Sequence, residues 1–474
     1  MKEMRRSKRN VSRRDFLRMG GLSAGAAVLA ACGGGGGGGA EEEVAATEAA
    51  PAEGETAADS GAESAPAAAG NEIHWWYAWV DFTPAVESMK ELESVQEHIG
   101  DDTLVNRDNV SQEEFLTAFA AGEPPDGGSN TDYPGFWARG VVVPVDDLVA
   151  GSSIIDLDDV TPALVEHAKY DGQMIGVVSI ESFVQWGLNY NAQHVEEVGL
   201  DPDNPPLTVE DLFEWHKQMT TFDSAGNLNR LGLDPYDAMA TEPDFPAFSY
   251  GLRWWDDEER TFHLDDPRMA EAADAYGEFY RFAGPDNMAG MRSVEGQGGW
   301  GAAYNAGVQS MIIEGYWHPG ETQIQQPDVA QYNRATWAPV PASLSGRKIQ
   351  ATNAHYVQLY KDGKNIDGMF KIAEMLYTPE VLDIIFNQVG WVTGINSYLQ
   401  TVDADVYPGL RFYIDSVGEA DEWMAVRRSP LHSYVSQQWN ELKEQVYRDL
   451  MSATDAVAEL QARAVAEWEA QGLS

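Results

Sequence analysis

The chain has 474 residues, and its 31 basic and 76 acidic side chains give a formal net charge of −45 at pH 7. A surface this acidic repels nucleic acid and anionic lipid head groups, which excludes a nucleic-acid-binding protein. The single cysteine, Cys32, excludes a disulfide framework and a thiolate metal site, and no metal or other cofactor is expected.

The N-terminus predicts export. Residues 1–18 carry eight basic against two acidic side chains, and Ser12-Arg13-Arg14-Asp15-Phe16-Leu17-Arg18 fits a twin-arginine signal. The apolar stretch 19–31 is too short to span a bilayer. It ends in Leu29-Ala30-Ala31-Cys32, which is similar to a bacterial lipobox, so Cys32 is predicted to be lipidated. Residues 1–32 are therefore expected to be a signal, and the exported protein to be anchored at the outer face of the cytoplasmic membrane.

Residues 33–71 predict a disordered tether. Seven glycines follow Cys32, and the next residues are mostly Ala, Glu, Pro, Gly and Ser, which cannot bury enough apolar surface to offset chain entropy. The remaining length of about 400 residues is too large for one ordinary core and favours two lobes. Without the signal, 23 basic and 74 acidic side chains leave a net charge of −51. This favours a soluble surface in a salty or harsh exterior; whether it reflects salt adaptation stays open.

The first elements of the folded part follow from local patterns. The run from Ile73 to Trp79 is aromatic and β-prone, which predicts a strand. Thr83-Pro84 predicts an N-cap and a first-turn proline for a helix that continues to about Glu97. Ser111-Gln112-Glu113-Glu114 predicts a capping box for a helix carrying Phe115, Leu116 and Phe119 on one face, which ends at Ala121-Gly122.

Strands and helices alternate along the rest of the chain. Asp171-Gly172 predicts the turn of a hairpin. Residues 353–360 predict a strand, residues 367–377 and 379–389 predict two helices, and the tail over 430–469 predicts a largely helical segment. This alternation indicates an α/β fold.

Several motifs recur in one order along the chain. They are Ala121-Gly122-Glu123-Pro124-Pro125-Asp126, Tyr170-Asp171-Gly172-Gln173, Tyr190-Asn191, Gly199-Leu200-Asp201-Pro202, and Tyr304-Asn305-Ala306-Gly307 followed by Met311-Ile312-Ile313-Glu314-Gly315-Tyr316-Trp317. Together they resemble the family 1 extracellular solute-binding proteins of ABC importers, the group that includes the maltose-binding proteins. One departure is Val178, which stands where the family usually has proline.

The resemblance implies a two-lobe, periplasmic-binding-protein-like (type II) α/β fold with a hinge and an interlobe ligand cleft. In this family the chain crosses between lobes three times, and the crossings are expected near Val184, Lys348 and Asn396. Lobe 1 would then comprise residues 72–184 and 348–396, and lobe 2 residues 185–347 and 397–474. The implied partners are the transmembrane subunits of an ABC permease, and a monomer is expected.

A sugar site needs aromatic rings for the C–H faces of the sugar and carboxylate or amide groups for its hydroxyls. The chain has 15 tryptophans. By resemblance, Trp317 is expected to be a stacking platform, with Tyr316 beside it. The full set of expected ligand-binding residues is Trp79, Asp81, Asn130, Asp132, Glu181, Trp255, Trp300, Tyr316, Trp317 and Trp391. For each aromatic residue the alternative is an ordinary role in the core.

The resemblance implies a substrate-binding component of an ABC importer that captures a mono- or oligosaccharide, or a similar polar solute, by hinge closure. No local signature of a catalytic serine, a zinc protease or a nucleotide-binding loop occurs, so no enzyme is expected. A secreted carbohydrate-active hydrolase remains one alternative, because an acidic chain offers many carboxylate pairs. A sugar-sensing binding protein without a transport role remains another.

Overall fold

The computed structural model describes residues 71–129, 133–179, 183–294, 301–352 and 356–473. The predicted signal, the predicted tether up to residue 70, and Cys32 lie outside the described residues. So do four of the expected site residues, namely Asn130, Asp132, Glu181 and Trp300. Within the described ranges, no helix is long and apolar enough to cross a membrane.

The described chain alternates strands and helices, as the sequence predicts. The strands are β1 Glu72–Tyr77, β2 Thr103–Arg107, β3 Gly127–Ser129, β4 Val142–Val143, β5 Lys169–Tyr170, β6 Gln173–Met174, β7 Gly187–Asn191, β8 Thr221–Phe222, β9 Leu228–Leu233, β10 Trp255–Asp256, β11 Thr261–Phe262, β12 Gln309–Glu314, β13 Asn333–Thr336, β14 Ile349–Thr352, β15 Val357–Tyr360 and β16 Glu422–Ala425.

The helices are α1 Thr83–Lys90, α2 Glu93–Ile99, α3 Gln112–Ala121, α4 Tyr133–Ala138, α5 Asp146–Gly151, α6 Pro162–His167, α7 Ala192–Glu197, α8 Val209–Met219, α9 Asp244–Ser249, α10 Pro267–Ala283, α11 Pro285–Arg292, α12 Ala302–Asn305, α13 Trp317–Gln325, α14 Pro327–Ala330, α15 Ile366–Met375, α16 Pro379–Val389, α17 Asn396–Leu399, α18 Leu410–Glu419, α19 His432–Tyr447 and α20 Ala453–Ala470. Short 3₁₀ turns lie at Val80–Phe82, Leu157–Asp159, Ala238–Thr241, Ala342–Leu344 and Ala404–Val406.

Two five-stranded sheets organise these elements. The first has the order β2-β1-β3-β15-β4, in which β1 runs parallel to β2 and β3, and β15 runs antiparallel to β3 and β4. The second has the order β13-β7-β12-β9-β8. Each sheet with the helices packed on it is one lobe of the fold, called here the first and the second lobe. The exact residue limits of the lobes stay a prediction.

Local sequence signals explain several elements. Ser111 caps α3: its side chain accepts a hydrogen bond from the backbone of Glu114, whose carboxylate accepts one from the backbone of Ser111, so the predicted capping box is confirmed. The predicted hairpin turn is also confirmed, because Asp171 and Gly172 both have positive φ, 52° and 76°, between β5 and β6. Such angles match the right-handed twist of the flanking strands.

The prediction of one helix from Thr83 to about Glu97 is wrong. The segment forms two helices, α1 and α2, because Leu92 between them is extended, with φ −71° and ψ 128°. The side chain of Gln96 donates to the carbonyl of Lys90 and so satisfies an acceptor that the break exposes. Thr83 is not the N-cap; its hydroxyl instead bonds to Asp108 on the neighbouring loop.

Three chain segments run side by side between the two lobes and are called here the connector: residues 184–185, β14 and β16. Val184 forms an antiparallel bridge with Thr352, and β14 pairs in parallel with β16, so β14 is the middle segment. The side-chain amide of Gln350 adds to the pairing, because it accepts from the backbone N–H of Trp186 at 2.9 Å and donates to the carbonyl of the same residue at 3.1 Å.

Candidate functional site

The turn after β12 holds Tyr316 and Trp317 beside the connector. The backbone N–H of Tyr316 donates to the carbonyl of Val184 at 3.3 Å, and the Tyr316 ring meets Phe183 edge-on at 5.4 Å. The indole of Trp317 folds back over Gly315, where any Cβ would overlap with the ring. Its Nε1 donates to Glu314 Oε1 at 2.5 Å. Glycine at position 315 and the Glu314 carboxylate therefore fix the orientation of this indole.

A second group of rings comes from the first lobe. Trp79 follows β1 and meets Trp391 edge-on at 5.7 Å, while Phe82 stacks on Trp391 at 5.5 Å with an interplanar angle of 11°. Trp391 Nε1 donates to Glu321 Oε1 on α13 at 2.7 Å. Because α13 begins at Trp317, this hydrogen bond joins the rings of the first lobe to the helix that carries the Trp317 indole.

Helix α13 and the segment at Gly390 approach each other closely because both carry glycine at the point of contact. A Cβ at Gly320 on α13 would overlap with the carbonyl of Gly390, and a Cβ at Gly390 would lie 2.5 Å from the backbone of Gly320. The two chains therefore touch through their backbones. The name aromatic cluster is used below for the side chains of Trp79, Phe82, Tyr316, Trp317 and Trp391.

The aromatic cluster contains four of the predicted site residues. Tyr316, Trp317 and Trp391 are buried, with 0 %, 7 % and 2 % of their surface exposed, while Trp79 is half-buried. A fifth predicted residue, Asp81, is exposed on the adjacent Val80–Phe82 turn. The indoles of Trp317 and Trp391 each donate a hydrogen bond to a glutamate of the second lobe.

The structure places the remaining described site residue, Trp255, elsewhere. It lies on β10, packs against Phe262 and Trp468 at 4.8 and 5.0 Å, and donates from Nε1 to Asp257 Oδ1 at 2.7 Å. No ring contact joins it to the aromatic cluster in the described part of the chain. It lines a separate cavity instead.

That cavity, called here the polar cavity, has a volume of about 240 Å³ and many charged walls. Its lining residues come from the first lobe, the second lobe and the connector: Glu166, His167, Lys169, Asp244, Phe248, Arg253, Trp254, Trp255, Asp257, Ala425 and Arg428. It adjoins the β16 edge of the connector, where Arg253 donates to the carbonyl of Trp423 at 2.9 Å. Tyr316 adjoins the opposite edge, at Val184.

Arg428 is the main link across the polar cavity. Its Nε donates to Asp257 Oδ2 at 2.7 Å, and its two terminal nitrogens donate to the carbonyls of His167 at 2.7 Å and Lys169 at 2.9 Å. Burial, followed by the charges of Arg428 and Arg253, lowers the pKa of His167 to about 3. His167 is therefore neutral at pH 7, and the positive charges of the cavity come from Arg and Lys side chains.

Sequence reasoning missed this region. The available signal was Arg427-Arg428, two adjacent basic residues in a chain with few of them, directly after a strand. The buried backbone N–H of Arg427 donates to Asp244 at 2.9 Å, and its guanidinium donates to Glu242 at 2.6 Å.

Glu242, Asp244 and His432 offer ligand atoms that lie within 4.8 Å of one another, a spacing that could hold a metal ion. Each of the two carboxylates already accepts at least one hydrogen bond, however. Arg427 donates to Glu242, and Trp254 Nε1 donates to Asp244 Oδ1 at 2.5 Å. A guanidinium on one carboxylate opposes the binding of a second cation, so this set reads as a hydrogen-bonded network.

Comparisons with known proteins agree with this architecture. A sequence model for a family described as bacterial extracellular solute-binding protein matches residues 98–382. Among curated protein sequences, none matches the chain.

Several solved structures share the fold. CpMnBP1 with mannotriose bound is 18 % identical, with a TM-score of 0.72 over 83 % of this chain and 100 % of that one. A solute-binding protein from Thermotoga lettingae TMO bound with alpha-D-tagatose is 15 % identical, with a TM-score of 0.69 over 85 % and 100 % of the two chains. The sugar-binding protein MalE from Xanthomonas citri is 19 % identical, with a TM-score of 0.66 over 85 % and 98 %. The predicted two-lobe α/β type II fold is confirmed.

Proposed function

Because the chain belongs to the bacterial extracellular solute-binding protein family, we propose that it is the substrate-binding component of an ABC importer and that it captures a sugar. The single observation that carries the choice of ligand is the aromatic cluster, in which the rings of the first lobe are joined to the helix that carries Trp317 by the hydrogen bond from Trp391 to Glu321. Indole faces pack on the C–H faces of sugar rings, and flanking carboxylates bind hydroxyls. The similar structures described with mannotriose and tagatose support the same ligand class.

The mechanism we propose is hinge closure. The ligand binds one lobe, the connector bends, and the second lobe closes over it. Closure removes the sugar from water, so that ring stacking and hydroxyl hydrogen bonds strengthen together. The closed form then delivers the sugar to the permease, and no chemistry on the ligand is required. The family and the similar structures are binding proteins, which supports this reading over a hydrolase.

The ligand contacts that we propose are those predicted from the sequence, with Trp317 as the platform. Asn130, Asp132, Glu181 and Trp300 stay proposals on sequence grounds alone. Trp255 is the weakest member, since it faces the polar cavity. We also propose export by the twin-arginine route and a lipid anchor at Cys32, supported by the signal motif and the lipobox, and a monomeric state, which rests on the family resemblance alone.

A thermal-shift screen over a carbohydrate library, followed by calorimetry, tests this function. A ligand that binds the folded state raises the melting temperature. Once a sugar is found, Trp317→Ala is expected to weaken its binding by about 1–3 kcal/mol, because the stacking face is lost.

The matched control is Trp215→Ala on α8. Trp215 is 7 % exposed, as is Trp317, and it meets only Tyr190 edge-on among aromatic rings of the described residues. It should lower stability and leave sugar affinity unchanged. Equal sugar affinity in the wild type and Trp317→Ala would remove the platform role. Cleavage of a glycoside by the purified protein would overturn the binding function itself.

A further inference from the structure

The polar cavity is small and lies between the two lobes and the connector. Its volume of about 240 Å³ lies below the roughly 300–1,000 Å³ of ordinary ligand pockets, which favours a small occupant. Its walls include α6 and β5 from the first lobe, β10 from the second, and β16 from the connector. A molecule inside it therefore lies between elements of both lobes and of the connector.

The carboxylates that line the cavity are already paired. Asp257 accepts from Trp255 Nε1 and from Arg428 Nε, each at 2.7 Å. Asp244 accepts from Trp254 Nε1 and the Arg427 backbone. Glu166 pairs with Lys169 at 3.1 Å. No carboxylate in the lining is thus left to attract a cation.

Arg253 differs from the other charged groups of the cavity. Over the described ranges, its only hydrogen bond is the one from its terminal nitrogen to the carbonyl of Trp423 at 2.9 Å. Glu422 forms a long ion pair with Arg253, with 3.9 Å between Arg253 Nη2 and Glu422 Oε1, while the other oxygen of Glu422 is paired with Arg347. Burial lowers the pKa of Arg253, and the charge of Asp257 offsets this only in part. The guanidinium is therefore partly desolvated without a carboxylate at hydrogen-bond distance.

A planar guanidinium of this kind matches the two oxygens of a carboxylate. Phe248, Trp254 and Trp255 line the same cavity and supply apolar walls. The whole protein is strongly acidic, so its surface does not attract anions in general. Any anion that binds must therefore be held by a specific local site.

We propose that the polar cavity is a second binding site, that it takes a small carboxylate anion held by Arg253, and that its occupancy alters lobe closure. The binding step does not depend on the proposed function. The coupling to closure rests on it, because it requires a sugar site on the other edge of the connector.

Calorimetric titration of the intact chain with sodium acetate, succinate and citrate, at constant ionic strength held with sodium chloride, tests the binding step. At least one of the three is expected to give a saturable isotherm. Arg253→Gln should weaken it at least tenfold. Because the Arg253 side chain is 54 % exposed, the variant should keep the wild-type melting temperature.

The matched control is Arg411→Gln. The Arg411 side chain is also 54 % exposed, its partner is Asp405, and it lines no wall of the polar cavity. It removes the same charge and should leave carboxylate binding unchanged. Absence of binding by all three anions would overturn the proposal, and so would an equal loss in both variants, which would indicate a general charge effect.

Coupling is tested with the sugar found by the carbohydrate screen. In the wild type, saturating carboxylate should change sugar affinity at least twofold, and in Arg253→Gln it should not. If saturating carboxylate left the sugar affinity unchanged in both the wild type and Arg253→Gln, the coupling would be overturned. A chain that binds a carboxylate and no sugar would contradict the proposed function and leave the second site standing, so the two failures are distinguishable.

Discussion

The two edges of the connector carry opposite chemistry. At the Val184 edge the aromatic cluster presents rings whose polar atoms bond within the protein, as Trp317 does to Glu314 and Trp391 to Glu321. At the β16 edge the polar cavity is lined by charged groups, and Arg253 has no carboxylate at hydrogen-bond distance, since Glu422 lies 3.9 Å away. Burial of apolar surface and direct backbone contact stabilise the first region, whereas interactions between charged groups stabilise the second. Salt, pH and steric changes should therefore act on them differently.

The largest effect is expected from steric change in the aromatic cluster. Gly320→Ala places a Cβ into the carbonyl of Gly390, and a backbone atom cannot rotate away. Overpacking of this kind should lower the free energy of unfolding by about 3 kcal/mol or more. Urea denaturation measures the loss.

Gly418→Ala on α18 is the matched control, because a Cβ there meets nothing within 4 Å. It should be neutral or stabilise the protein by about 0.5–1 kcal/mol, since glycine is costly inside a helix. If Gly320→Ala proved as benign as Gly418→Ala, the backbone contact between α13 and Gly390 would not hold the two segments together.

An intermediate effect is expected from acid. The pKa of His318, near the aromatic cluster, is lowered from 6.5 to about 3 by burial alone. The pKa of His167, in the polar cavity, is lowered equally far by burial and by the charges of Arg428 and Arg253. Above pH 6.5 both histidines are neutral in the folded and unfolded chain. As the pH falls from 6.5 towards 3, only the unfolded chain takes up the protons, so stability falls, by on the order of 1–3 kcal/mol per histidine.

Denaturation across this pH range, at low and high salt, separates the two causes. His318→Gln should flatten the pH dependence equally at both salt concentrations, because desolvation is not screened. His167→Gln should flatten it less at high salt, where the arginine charges are screened. The same salt response in both variants would mean that the two regions do not differ in electrostatics.

The smallest effect is expected at the rim of the polar cavity. Arg260, between β10 and β11, pairs with Asp171, between β5 and β6, at 2.7 Å, and the two side chains are 44 % and 50 % exposed. Exposed pairs contribute little, so Arg260→Gln should cost about 0.5 kcal/mol or less of unfolding free energy. A double-mutant cycle with Asp171→Asn measures the pair directly. A coupling energy well above 1 kcal/mol would show that the Arg260–Asp171 pair stabilises the protein as strongly as the buried Arg428 network does.

Local signals predicted much of the fold because they act over a few residues. The Ser111 capping box and the Asp171-Gly172 turn are set by side chains and backbone angles within four positions of each other. The break between α1 and α2 was missed because it depends on Leu92 packing against the core and on Gln96 reaching back to Lys90.

The candidate site was harder to predict, since it depends on contacts distant in sequence. Trp79 and Trp391 lie more than 300 positions apart in the chain yet meet edge-on, and the motif around Trp317 could place only its own turn. Trp255 was expected beside the ligand because, by resemblance, it lies where the family builds a wall of the second lobe. Its actual neighbours, Phe262 and Trp468, are a hairpin partner and a residue of the last helix.

The side-chain amide of Gln350 pairs with the backbone of Trp186, next to the connector, in the way that one strand pairs with another. Two strands that pair through their backbones lose those hydrogen bonds when they twist apart. The Gln350 amide instead reaches Trp186 through rotatable side-chain bonds, and it also donates to Ser416 Oγ at 3.0 Å. Its oxygen also accepts from the backbone N–H of Ala351 at 3.0 Å, so the buried amide is held on both sides. We therefore expect the backbone amide of Trp186 to be among the best protected from hydrogen exchange at the connector, with and without ligand.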